Sequence, residues 1–177
     1  MKDHIRNTFY LTVNHIGGIM LGMLVMFILL NPVRMITPDI TTRAWIHFII
    51  QNIATFAALF ILFQRIGNSW NRAGEKLLPK SVLIGNAIAV LAVFLLILIV
   101  NFEFILLYQN TAWLIDALYA DSAIHNTVGI NEMKNTYLPQ TTAILAVHTV
   151  FYLIPMNLGY YFGAKKRADE RAKLHHT

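Results

Sequence analysis

Apolar residues along this chain gather into four long runs, at 9–30, 44–64, 82–108 and 141–163, rather than into short amphipathic stretches. A helix rises about 1.5 Å per residue, so about 20 residues cross a hydrocarbon core of about 30 Å. Each run meets that length. The pattern predicts an all-α, polytopic integral membrane protein, a single domain over 1–177 built as a four-transmembrane-helix bundle. The first run follows Lys2 and Arg6, as the apolar part of a signal peptide would. It exceeds the roughly 7–15 residues of such a region, and a small-residue cleavage site is missing after it. Asn31-Pro32-Val33-Arg34 stands there instead. It reads as a retained span.

The segments between the runs set the orientation. Lysine and arginine accumulate on the cytoplasmic side of short membrane loops. Lys2 and Arg6 precede the first run, Arg65, Arg72, Lys76 and Lys80 lie in the second loop, and Lys165, Lys166, Arg167, Arg171 and Lys173 lie in the tail 164–177. These are eleven of the fourteen basic residues. Arg34 and Arg43 flank the first loop, and Lys134 is alone in the third, 109–140. The chain is therefore expected N-in/C-in in a cell inner (plasma) membrane. Aromatic residues fit that placement, with Phe9, Tyr10, Trp70, Tyr160 and Tyr161 at the inner interface and Trp45, Tyr108, Trp113 and Tyr137 at the outer one. In the tail, Lys165/Asp169 and Lys166/Glu170 are spaced i,i+4, so the last helix is expected to continue beyond the bilayer.

Composition changes the picture little. The chain is 56% hydrophobic and 13% charged, where soluble domains carry about 25% charged residues. Its formal charge of +5 is spent beside apolar runs, which suits a bilayer and not a nucleic acid. With no cysteine, disulfides, thiol nucleophiles and cysteine-ligated metals are excluded.

Faces within the runs point inward by their small and polar residues, because lipid supplies little hydrophobic drive for helix association. Asn14, Gly18 and Gly22 share a face in the first run, and His47, Gln51, Ala54 and Ala58 in the second. Gly85, Ala89, Ala92, Leu96, Ile99 and Glu103 do so in the third, and His148, Tyr152, Pro155, Gly159 and Gly163 in the fourth. Gly18/Gly22 and Gly159/Gly163 lie at matching depth, which predicts a close approach of the first and fourth helices, or a homodimer. Pro155 is expected to kink the fourth helix and free a carbonyl near residue 151.

Glu103 is the one acid inside any run. It lies about 7.5 Å below the outer boundary, with His47 about 4.5 Å and His148 about 10 Å in, counting the helical rise. Gln51, Asn52 and Asn101 fall in the same layer, so these six residues define an expected polar chamber open to the outside. Three bland roles compete with it: a headgroup position for Glu103, a register-fixing polar clamp, and simple helix glue for Asn86 and Asn157. His15 reads as a packing or interfacial residue. Two histidines and a carboxylate are chemically adequate for zinc or iron, and two facing imidazoles for haem, but no ligand spacing is diagnostic. No cofactor is expected and no catalytic residue is assigned, there being no nucleophile arrangement or phosphate-cradling loop.

Two functional readings follow. One is a non-enzymatic membrane protein that associates with or modulates another membrane component, its partners being the lipid bilayer and a second membrane protein or a further copy of itself. The alternative is a small transporter, channel or sensor that uses the chamber of His47, Glu103 and His148.

Overall fold

A computed structural model describes residues 2–37, 39–99 and 146–174. The described residues are all-helical, without strands. Four helices follow one another: α1 (Lys2–Ile36), α2 (Ile40–Trp70), α3 (Lys80–Ile99) and α4 (Leu153–Leu174), with a helical lead-in to α4 over 146–151. Two stretches, Asn7–Leu29 in α1 and Trp45–Trp70 in α2, are long and apolar enough to cross a membrane. Glu103 and Asn101 lie outside the described residues, as do the expected outer loop and the outer end of the third run.

The first two helices outrun their expected bounds. α1 carries Pro32 inside it and still closes a further turn, the Thr37 N–H donating to the Val33 carbonyl at 3.0 Å. Proline forfeits one helical hydrogen bond and does not have to end the helix. α2 starts early because Asp39 caps it: the residue is extended, and its carboxylate accepts the Thr42 N–H at 2.7 Å. An acidic cap beside the helix N-terminus also complements the local dipole. At its far end α2 absorbs the polar RIGNSW segment up to Trp70, which stacks on Tyr10 with ring centroids 5.5 Å apart.

Contacts give the helix directions. Gly18 faces Leu59 while Gly22 faces Thr55, so α1 and α2 are antiparallel. Gly159 faces Phe60 while Gly163 faces Gln64, so α2 and α4 run parallel. Gly85 of α3 rests on Leu11 of α1, and Asn86 donates to the Asn157 side-chain oxygen of α4 at 2.8 Å. α2 is thus the central helix, with α1 on one side and α4 on the other. Both glycine pairs are used on it, which corrects the expected meeting of the first and fourth helices through those glycines; where these two helices touch, it is through His15 and Tyr152. A small-xxx-small pair fixes how closely a neighbour comes and carries no information about which neighbour. In α3 the buried face is Val82, Gly85, Asn86, Ala89, Val90 and Val93, whereas Ala92 is exposed.

The core is formed by Leu11, Ile19, Leu59, Phe63, Ile66, Tyr152, Met156 and Tyr160 among others, all nearly or fully buried. The outer surface remains strongly apolar: Phe27 is 58% exposed, Ile28 67% and Ile53 65%. Such a contiguous apolar belt is unusual on a protein surrounded by water.

The tail is anchored back on the bundle. Asn71 ends α2, its N–H on the Gly67 carbonyl, and its own carbonyl accepts from Arg171 at 3.1 Å. Arg171 also reaches the Asn71 side-chain oxygen, while Arg167 pairs with Glu170 at 3.7 Å. Arg171→Ala is expected to release the end of α4, since hydrogen bonds to a charged donor contribute about 1.5–3 kcal/mol. Limited trypsin digestion would then cut within 165–173 faster than in the wild type, with the rest of the chain equally resistant. An unchanged cleavage rate would show that the contact does not hold the tail.

Candidate polar site

Polar side chains are not confined to one layer. On α2, His47, Gln51 and Thr55 repeat every four residues and are each 0% exposed. The same ridge continues as Leu59 and Phe63, so the helix has one buried face whose first half is polar and second half apolar. Thr55 and Leu59 of this ridge meet Gly22 and Gly18 of α1, while the neighbouring Asn52 and Phe56 meet His148 and Tyr152 of the fourth helical segment, where Thr149 is also buried. His15, from α1, is fully buried as well.

His148 and Asn52 form the defined junction between α2 and the fourth helical segment, with 2.7 Å between the imidazole Nε2 and the amide oxygen. The hydrogen positions follow by elimination. Asn52 donates its amide nitrogen to the Phe48 carbonyl at 2.8 Å, so its oxygen is what faces His148. An amide oxygen only accepts, and Nε2 therefore carries the hydrogen. In the neutral ring, Nδ1 is then a bare acceptor; it is buried and has no hydrogen-bond partner among the described residues.

Rings continue the line inward. His148 lies between Phe48, at 5.6 Å between centroids, and Tyr152, at 5.2 Å. Tyr152 in turn packs edge-on against His15 at 5.6 Å and against Phe56 at 5.9 Å. Beside these rings, both polar atoms of Gln51 and the Thr55 hydroxyl are buried without a protein partner among the described residues. The His15 nitrogens reach no partner at full hydrogen-bonding geometry, although the ring interacts with the Ala89 backbone. Gly22 makes room for Thr55, because a Cβ there would strike the hydroxyl. Buried donors and acceptors of this kind are normally met by ordered water or a polar ligand.

The backbone is also irregular here. The helix breaks at Tyr152, whose N–H turns back to the Thr149 carbonyl at 3.2 Å. Pro155 has no N–H to offer the Phe151 carbonyl, so this turn cannot keep its full ladder. Broken helices inside membrane proteins are tolerated where they line a polar interior.

Of the residues expected in a chamber, Asn52 and His148 meet between α2 and the fourth helical segment, and His47 and Gln51 are buried on the adjoining ridge of α2. Gly18, Gly22, Gly85, Pro155, Gly159 and Gly163 are all buried at helix contacts. Among the described residues, no group of three or more histidine or acidic side chains is arranged to hold a metal ion. Sequence reasoning missed Thr55, although its i+4 spacing from Gln51 was the signal, and it undervalued His15. Comparison of the chain with protein-family models, with curated proteins and with solved structures finds no match.

Proposed function

We propose that this chain is a four-span membrane protein, both termini cytoplasmic, whose buried polar column is a proton pathway, making it a small transporter or channel. The single observation that carries the reading is the His148–Asn52 pair, which leaves an imidazole acceptor inside the bundle, while Gln51 and Thr55, on the same helix as Asn52, bury polar atoms without a partner among the described residues. Tyr152 and His15 carry polar rings further along the same line, in direct ring contact with one another. The apolar belt, two long apolar helices and the lysine and arginine distribution support the crossing and its direction. Polar residues within a membrane segment are costly, and where they persist they mark ion and proton paths.

The test is proton flux. Purified protein is reconstituted into vesicles loaded with a pH-sensitive dye, and a potassium diffusion potential is applied. Acidification faster than in protein-free vesicles is expected, falling to that background in His148→Leu and Tyr152→Phe. Wild-type flux no greater than background would sink the proposal.

A second reading, association with another membrane component, is favoured by one feature. α4 runs on into a basic segment bearing Lys165, Lys166, Arg167, Arg171 and Lys173, a surface suited to an acidic cytoplasmic partner. The glycine pairs no longer support it, since α2 occupies both.

A further inference from the structure

At the end of the bundle opposite His47 lies a cavity of about 740 Å³ that the polar column does not use. Its walls come from the start of α1, the end of α2, the 71–79 loop, the start of α3 and Tyr160 of α4. Three cations, Arg72, Lys76 and Lys80, line it against a single acid, Glu75. That acid is already engaged: its carboxylate accepts the Arg72 N–H at 3.0 Å. Asn7, Thr8 and Ser81 add neutral donors, and the floor is apolar at Leu11, Val82 and Gly85.

From this chemistry we infer a binding site for a phosphate-bearing anion, with the headgroup of an anionic lipid as its natural source. The start of α3 adds to the positive field. Only its Val82 and Leu83 N–H groups are turned back onto the Pro79 carbonyl, at 3.0 and 3.2 Å, and the helix dipole favours an anion in front of it. The loop is held in place beforehand. Asn71 bridges to the Lys76 carbonyl at 3.5 Å and to Arg171, and Gly74 takes the left-handed turn, φ +78°, that brings Glu75 back to Arg72. A preformed wall lowers the ordering cost of binding. The apolar floor suits the glycerol and first methylenes of a lipid, which a free phosphate lacks. Trp70 lies at the rim and reports on occupancy.

The lipid source rests on the membrane reading above, so the experiment separates the two. Resistance of the chain to alkaline extraction from membranes tests the crossing alone. Native mass spectrometry of the detergent-solubilised protein, titrated with phosphatidylglycerol or phosphatidylcholine, tests the site. Preferential retention of phosphatidylglycerol is expected. Neutralising Arg72, Lys76 and Lys80 together to Gln should weaken it by at least about tenfold, since each cation near an anionic surface is worth roughly a fivefold factor. Lys165→Gln with Lys166→Gln and Lys173→Gln is the matched control, removing equal charge from the tail and leaving retention unchanged. Equal loss in both triple variants, or no preference in the wild type, overturns the site even if the protein resists extraction. Trp70 fluorescence, read in a Trp45→Phe/Trp113→Phe background, is then followed with glycerol 3-phosphate and no lipid. A response only to lipid assigns the headgroup. An equal, saturable response to glycerol 3-phosphate upholds the anion site and overturns its lipid assignment.

Discussion

Gly163→Ala is expected to lose much of the fold's stability, by about 1–3 kcal/mol or more from overpacking alone. The reason lies in what the added methyl meets. At Gly163 it would be driven into the Gln64 carbonyl oxygen and would approach the Asn68 nitrogen at 2.8 Å; both are backbone of α2 and cannot rotate away. Gly159 stands in the same relation to the Phe60 carbonyl, and Gly67 of α2 to the Tyr160 carbonyl. Three glycines on two parallel helices thus hold the backbones in mutual contact, a spacing in which Cα–H groups face carbonyls. Gly18→Ala should cost less, because the Leu59 side chain it meets can change rotamer. Gly17→Ala meets nothing within 4 Å and should be stabilising by about 0.5–1 kcal/mol, as alanine in a helix interior is. Thermal denaturation of the three variants in one detergent checks the ranking. Gly163→Ala matching Gly17→Ala would mean that α2 and α4 are not in backbone contact.

Gln51→Leu should separate stability from activity. Both polar atoms of Gln51 are buried with no protein partner among the described residues, and leucine has similar volume. Removing a desolvated polar group of that kind is expected to stabilise by about 1–3 kcal/mol. The proton pathway proposed above would meanwhile lose a polar residue, and vesicle acidification should fall to background. His148→Leu acts oppositely on stability, because it leaves the half-buried Asn52 oxygen without its partner, a loss of about 1 kcal/mol. Measured together, the two variants should both be inactive while their melting points move in opposite directions. Retained flux in Gln51→Leu would remove that residue from the path, and a falling melting point would make it a structural clamp.

Helices were legible because a run of about 20 apolar residues admits almost no other structure. Their inward faces were partly legible, since period-four spacing marks a ridge whatever it packs against. His148, Tyr152, Pro155, Gly159 and Gly163 emerged in this way. The pairing of ridges was not legible: Gly163 and Gly22 have the same local signature, and only the tertiary arrangement gives both of them to α2. The start of α2 was readable in principle from Asp39 ahead of Thr42, a capping signal that the apolar run beginning at 44 leaves out. In α3, small size pointed to Ala92, whereas the buried ridge follows Asn86, Val90 and Val93. Alanine is too small to reveal which side of an almost wholly apolar helix faces its neighbours. The site was missed where its residues, Thr55 and His15, look ordinary one at a time.

The central position of α2 has a consequence for biogenesis. A chain made from its N-terminus forms the α1/α2 hairpin first, while the parallel partner of α2 is still about eighty residues short of synthesis. Through that interval Asn52, Phe56 and Phe60, on the face of α2 that meets the fourth segment, have no fourth helix to cover them. On the membrane reading proposed above, a nascent chain in this condition would be a client for an insertase or chaperone. Quality control would then sense completion by the docking of Gly159 and Gly163, so truncations before residue 159 should be degraded rather than accumulate as stable fragments.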